Sequence, residues 1–300
     1  MSRHKSITEG KRVDKARKQK TLGYEALFTE PTTEETLELM RSPEILAYRR
    51  RTITSGDYRE VEIYPVYRNP KKIREAKAAV TPEKQQRVNN RNSQKKFERL
   101  LHVNFVPFVD LFLTLTYAGL IAPTLTQARR DIRNYIKAVK RWRKKNGMPP
   151  VKYLYVIQYE DDGREVRVHH HIIMSAMDRD EAERLWAKGR AKSDRLKPDE
   201  KGLAELAAYI TRSKRGNKRW CGSRNLKGPT VTEALHQVSH RKAEIMAADC
   251  RFAAAAIFES AYPDFQFTDC AAFSGGQFPG AYIYARMRRR EKQRRKGAVA

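Results

Sequence analysis

Residues 166–174 read VRVHHHIIM, and these three adjacent histidines inside an apolar, β-branched run decide how the rest of the chain is read. A strand sends successive side chains to opposite faces, so His169 and His171 share one face while His170 takes the other, between Val168 and Ile172. Two imidazoles on one face can grip a single metal ion, whereas His170 reads as a packing residue. Just upstream, residues 151–160, VKYLYVIQYE, form a second strand, and DDGRE between the two supplies a turn. On that strand Gln158 and Glu160 share a face, and either can supply the third ligand that a two-histidine site needs. Glu160 is the better donor on charge, while Gln158 offers a neutral carbonyl oxygen. Mixed nitrogen and oxygen ligation favours Mn²⁺ or Mg²⁺ over tetrahedral structural zinc.

Working outward, residues 110–117, DLFLTLTY, predict a central buried strand with Gly119 and Pro123 as breakers. The following TLTQARRDIRNYIKAVKRWRKKNG spaces Ile132, Tyr135, Ile136, Val139 and Trp142 by threes and fours and stops at Gly147, which is the signature of an amphipathic helix. Its outer face is almost entirely Lys and Arg. Shorter helices are expected near 180–188 and over 203–212, and a polar helix over 82–102 either lies along a DNA backbone or is simply solvated. Residues 59–67, REVEIYPVY, alternate as a strand, placed at an edge because of Pro65. Beyond Pro229 the pattern reads as helical through 232–259, then mixed to the basic RMRRREKQRRK. The expected fold is α+β: an antiparallel sheet of about five strands covered by helices on one side. Residues 1–58 read as a basic arm, 59–228 as the catalytic domain, and 229–300 as a helical or mixed extension with a basic tail.

The 62 Lys and Arg against 35 Asp and Glu leave a net charge of +27 on 300 residues, an excess that calls for a polyanionic partner such as nucleic acid. A membrane is the rival polyanion, but no apolar run approaches the roughly 20 residues needed to span one. The first 20 residues are basic without an apolar stretch, so they are not a secretory signal; the protein is expected in a bacterial cytoplasm, and the arm either contacts phosphates or acts as a solubilising tail. Cys221, Cys250 and Cys270 are odd in number and widely spaced, which points to reduced structural residues. His236 and His240 have a helical zinc spacing, but HQVSH lacks the glutamate of the zinc-protease signature.

The helix LAELAAYITR places Tyr209 beside the apolar stripe of Leu203, Leu206, Ala207 and Ile210, with Arg212 three residues on. With 14 tyrosines in the chain, Tyr209 alone carries little weight. Together, however, three stretches resemble the motifs of the HUH endonucleases, in particular the rolling-circle replication proteins of bacterial plasmids, phages and integrated elements. FLTLTY at 112–117 is similar to the first strand motif, RVHHHIIM at 167–174 to the histidine motif, and YITR at 209–212 to the nucleophile motif. The likeness continues through DRDEAERLW, RWCGSRNLKGP and AYIYARMRRR. The central residue of the family's triplet is usually a bulky hydrophobe, though histidine occurs in the nearer relatives. Those relatives commonly have lysine where Arg212 stands, and a guanidinium is a planar fork, not a point charge. The family's acidic ligand aligns with Gln158, so the choice between Gln158 and Glu160 stays open.

The resemblance implies an HUH/RRM-like nuclease core in which a divalent ion polarises the scissile phosphate and Tyr209 attacks it, leaving a 5′-phosphotyrosyl DNA and a 3′-hydroxyl. A phenol is protonated at neutral pH, so the nucleophile needs nearby positive charge, for which Arg212 is placed, and Glu205 one turn earlier can assist proton transfer. The substrate would be single-stranded DNA at a replication origin. Backbone contacts are expected from Arg141 and Lys144 on the basic helix and from Lys214, Arg215, Lys218, Arg224 and Lys227, with Trp220 either stacked on a base or buried. No GxxxxGK[ST] loop occurs in the chain, so a host helicase and polymerase are the expected partners. The competing readings are a non-catalytic DNA or RNA binder, and a relaxase or single-tyrosine transposase using the same chemistry.

Overall fold

The computed structural model describes residues 27–71, 75, 82–161, 164–212, 220–275 and 278–290, without the side chains of 160, 161 and 164. The N-terminal arm at 1–20, the DDGRE turn at its centre and the last ten residues lie outside the described part. In chain order the elements are β1 (Glu30–Pro31), α1 (Glu34–Glu38), β2 (Ile45–Ser55), β3 (Tyr58–Tyr67), α2 (Pro82–Asn104), β4 (Leu111–Thr116) and α3 (Leu125–Lys145). They continue with β5 (Tyr153–Asp161), β6 (Arg164–Met174), α4 (Arg179–Arg184), β7 (Ala191–Arg195), α5 (Ala204–Thr211) and β8 (Cys221–Gly222). The last are β9 (Thr230–Val238), α6 (His240–Ala248), α7 (Ala253–Ala261), β10 (Phe265–Ser274) and β11 (Ala281–Arg289).

Two antiparallel sheets result. The histidine strand β6 is the centre of a five-stranded sheet ordered β7-β4-β6-β5-β8. Helices cover it on both faces, not on one as expected. On one face Leu111, Leu113 and Leu115 of β4 and Ile172 and Met174 of β6 pack against Ile132, Tyr135, Ile136 and Val139 of α3. On the other, Leu154, Val156 and Ile173 meet Phe97 and Leu101 of α2 and Ala207 and Ile210 of α5. The alternation in FLTLT and HHHIIM is what lets each strand feed two cores. The helix α3 begins as the sequence indicates, with Thr124 capping the Gln127 amide, and ends ahead of Gly147 at φ 64°. The edge strand β7 was not anticipated, because AKSDR carries no apolar alternation.

The second sheet has six strands in the order β1-β10-β11-β3-β2-β9. It corrects several expectations. The strand β3 lies between β11 and β2 and not at an edge; Pro65 is tolerated because the β11 ladder stops at Ile63. Residues 230–238 are strand, not helix, since TVTEALHQV completes the open edge of β2, with a register shift near His236 at φ 64°. His236 and His240 therefore do not share a helix: His240 opens α6 with its ring against Tyr48. Residues 45–67 and 230–289 join in one sheet, so the boundaries drawn at 58/59 and 228/229 cut through it. No helix among the described residues is long and apolar enough to cross a membrane.

Candidate active site

The three-strand register brings the site together. His169 pairs with Thr116 on one side and Gln158 on the other, while His171 pairs with Thr114 and Val156. The histidine alternation works out as read: the His169 and His171 rings lie edge-to-face with centroids 4.9 Å apart on the side that faces α5. Gln158 is buried, and its Oε1 sits 3.0 Å from His171 Nε2. Thr114 Oγ1 lies 3.3 Å from His171 Nδ1, and Phe112 stacks on the same ring at 5.5 Å. The other imidazole is oriented by its own strand, with His169 Nδ1 2.8 Å from the Arg167 carbonyl, which leaves Nε2 to face a ligand.

The nucleophile candidate arrives from α5. The Tyr209 ring is 5.4 Å from that of His171, and the Arg212 guanidinium lies 4.7 Å over the Tyr209 ring. Tyr209 is 43 % exposed, so its hydroxyl is reachable from solvent although its ring edge touches the histidine pair. Burial pushes His171 down to about 3, helped by the charges of His169, Arg212 and His170, so it is a neutral imidazole at physiological pH, the form that binds a metal. The donor set on the described side chains is thus two imidazoles and one amide oxygen. The side chain of Glu160 lies outside the described ones; its backbone pairs with Glu165 across a register shift after Gln158. No group of three His, Cys, Asp or Glu able to hold a metal occurs among the described residues.

His170 points to the α3 side, as the alternation requires. Its Nε2 is 2.9 Å from the Tyr117 hydroxyl, which also donates to Asp131 at 3.3 Å, and Trp186 packs on its ring. Glu205 is exposed on the first turn of α5. The expected DNA contacts divide. Arg224 and Lys227 are exposed on the segment packed with α2, on the site side, whereas Arg141 and Lys144 are exposed on α3, which covers the opposite face of the sheet. Lys214, Arg215 and Lys218 lie outside the described residues. Trp220 is a packing residue: its indole donates to Ser93 and its ring meets Phe97 edge-on. Thr114 and Phe112 went unread in the sequence, yet pairing the two strands on paper would have put both beside His171.

Residues 110–214 match the model of a family of replication-associated proteins, the ORF2 type, consistent with a replication-associated protein. No curated protein and no solved structure matches the chain. The matched span holds Gln158, His169, His171, Tyr209 and Arg212 and leaves out the whole six-stranded sheet.

Proposed function

We propose that this chain is a rolling-circle replication initiator that nicks and rejoins single-stranded origin DNA, with Tyr209 as nucleophile. The observation that carries the reading is the approach of the Tyr209 ring to within 5.4 Å of His171, across a sequence separation that only folding closes. His169, His171 and Gln158 would hold a divalent ion, Mg²⁺ or Mn²⁺, which supplies Lewis-acid polarisation of the scissile phosphate.

In this reading Arg212 supplies positive charge beside the phenol and steadies the phosphate oxygens. The Tyr209 Oη forms the new bond to phosphorus as the bond to the 3′ oxygen breaks. Its proton passes to solvent and the leaving oxygen gains one, so the products are a 5′-phosphotyrosyl strand and a free 3′-hydroxyl. The phosphodiester energy stays in the linkage, and a later attack by a 3′-hydroxyl restores the tyrosine and closes the circle without ATP. The 3′-hydroxyl would prime a host polymerase behind a host helicase in the bacterial cytoplasm. Thr114 and Phe112 orient His171, and the Arg167 carbonyl orients His169.

The test is to incubate the purified protein with labelled single-stranded origin DNA and Mn²⁺ or Mg²⁺ and look for a covalent adduct on a denaturing gel. The expected result is an adduct that disappears with chelator and in Tyr209→Phe, while DNA binding persists in both. Binding without any adduct would instead favour a non-catalytic DNA-binding protein, and an undiminished adduct in Tyr209→Phe would remove the nucleophile assignment.

A further inference from the structure

The loop after β4 carries the two most exposed large apolar side chains of the described residues, Leu120 at 101 % and Ile121 at 91 %. Single exposed aliphatics are ordinary, but two adjacent ones at a loop tip forgo burial together and ask for an occupant. The loop is held firmly at its base. Thr116 N donates to the Arg190 carbonyl at 2.8 Å and Ala118 N to the Lys188 carbonyl at 2.9 Å. The Arg167 guanidinium grips the carbonyls of Tyr117, at 2.9 Å, and Gly119. A Cβ at Gly189 would collide with the backbone at Thr116 and Ala118, so only glycine permits this close approach. Tyr117 itself is anchored by Trp186 and His170.

The place of the tip matters as much as its stiffness. Thr116, the residue from which the loop leaves the sheet, is the register partner of His169, so the loop rises at the end of the strands where the histidine pair stands. Exposed Arg167, Lys188 and Arg190 surround its base. Cations below and aliphatics at the tip match the two parts of DNA, an anionic backbone and the apolar faces of stacked bases. We propose that Leu120 and Ile121 form a wedge that inserts between stacked bases next to the scissile phosphate and holds the strand open there; this rests on reading the site as a DNA nickase.

The test uses the full chain carrying Tyr209→Phe, so that no cleavage intervenes, and a forked oligonucleotide with 2-aminopurine at the junction of duplex and single strand. At saturating protein, followed by anisotropy, the fluorescence of the unstacked base is expected to rise several-fold. In the same protein with Leu120→Ser and Ile121→Ser it is expected to stay near the level of DNA alone. Both positions are fully exposed, so the folded state is not at stake. An equal rise in the double variant, a bound fork with no rise, or failure to bind the fork would each overturn the wedge. The adduct assay keeps the two ideas apart. A rise that depends on Leu120 and Ile121 without any adduct from the unsubstituted chain leaves the wedge and removes the nickase, and an adduct with no such dependence does the reverse.

Discussion

On the side of α2 that faces the five-stranded sheet stand Phe97 and Leu101, fully buried among Leu154, Val156 and Ile173; on the side that faces the six-stranded sheet stand Lys95, Glu98, Arg99 and His102. The first contact is apolar and non-directional. The second is a set of charges in fixed geometry: Arg99 makes a two-pronged ion pair with Glu60 at 2.8 and 2.5 Å, the Tyr284 hydroxyl donates to Glu60 at 2.9 Å, and Arg51 reaches Glu62 at 3.2 Å. Burial alone would raise the Glu60 carboxyl, but the Arg99 hydrogen bonds and charge, with Lys95, hold it below its ordinary value. One helix thus serves as core for the sheet that carries the site and as an electrostatic dock for the sheet outside the matched span. Apolar packing supplies stability there, while a paired charge network specifies orientation at the second interface, because it tolerates only one arrangement.

The comparison can be broken hardest on the apolar side. Phe97→Ala should cost about 3–5 kcal/mol in urea unfolding, as expected for a large side chain removed from a closed core. A loss under about 1 kcal/mol would mean that α2 is not an integral part of that core. On the ionic side, Arg99→Leu should cost somewhat less, about 2–3 kcal/mol, because Glu60 is left partly buried without its partner and the pair is not wholly dry. Adding Glu60→Leu should recover most of that loss in a double-mutant cycle; a simply additive pair would show that the network does not orient the sheets.

His102 bridges the two interfaces, and its substitution sharpens the contrast at smaller cost. The Tyr58 ring from the second sheet stacks on it at 4.0 Å, and its Nε2 accepts from the Leu203 amide, at the start of the helix that carries Tyr209, at 3.0 Å. Burial pushes His102 down to about 4, so it is the neutral acceptor at working pH. His102→Leu should lose roughly 1 kcal/mol and slow adduct formation at saturating DNA, whereas His102→Gln, which keeps an acceptor, should retain more of both. Equal rates in the two variants would uncouple the second sheet from the site.

The smallest expected effect is a pH dependence. Burial, and then the charge of Glu60, push Glu98 up to about 7 from an ordinary 4.5. Between those values the folded chain holds a proton that the unfolded chain has released, so stability should fall as pH rises from about 4.5 to 7 and level off above. Glu98→Gln should flatten this slope in thermal melts at pH 5 and pH 8, by a few degrees at most. An unchanged slope would show that Glu98 is solvated within the junction.

The parts of this chain that were legible in its amino acids are those whose signal is local. The alternation around His169 to His171, the FLTLT strand and the stripe from Ile132 to Trp142 each specify an element and its buried face over a few residues. The face shared by the two histidines follows from the strand period alone, and so does the inward turn of His170. What failed to read was non-local. TVTEALHQV carries Ala, Leu, Glu and His that suit a helix, and only the unpaired edge of β2 makes it a strand. Likewise Arg51, Glu60 and Glu62 look like solvated charges until β3 and α2 close over them, and the cations of α3 gave no hint that they lie across the sheet from Tyr209.

Period and composition therefore determined the strands, the amphipathic helix and the polyanion-seeking charge, because side-chain direction along one element is set by backbone geometry. The meeting of Tyr209 with His171, the union of residues 45–67 with 230–289 and the assignment of each basic residue to a face were decided only in the tertiary structure. They depend on hydrogen-bond partners and buried neighbours that stand far away along the chain, and a strand edge or an unpaired charge takes its role from what covers it.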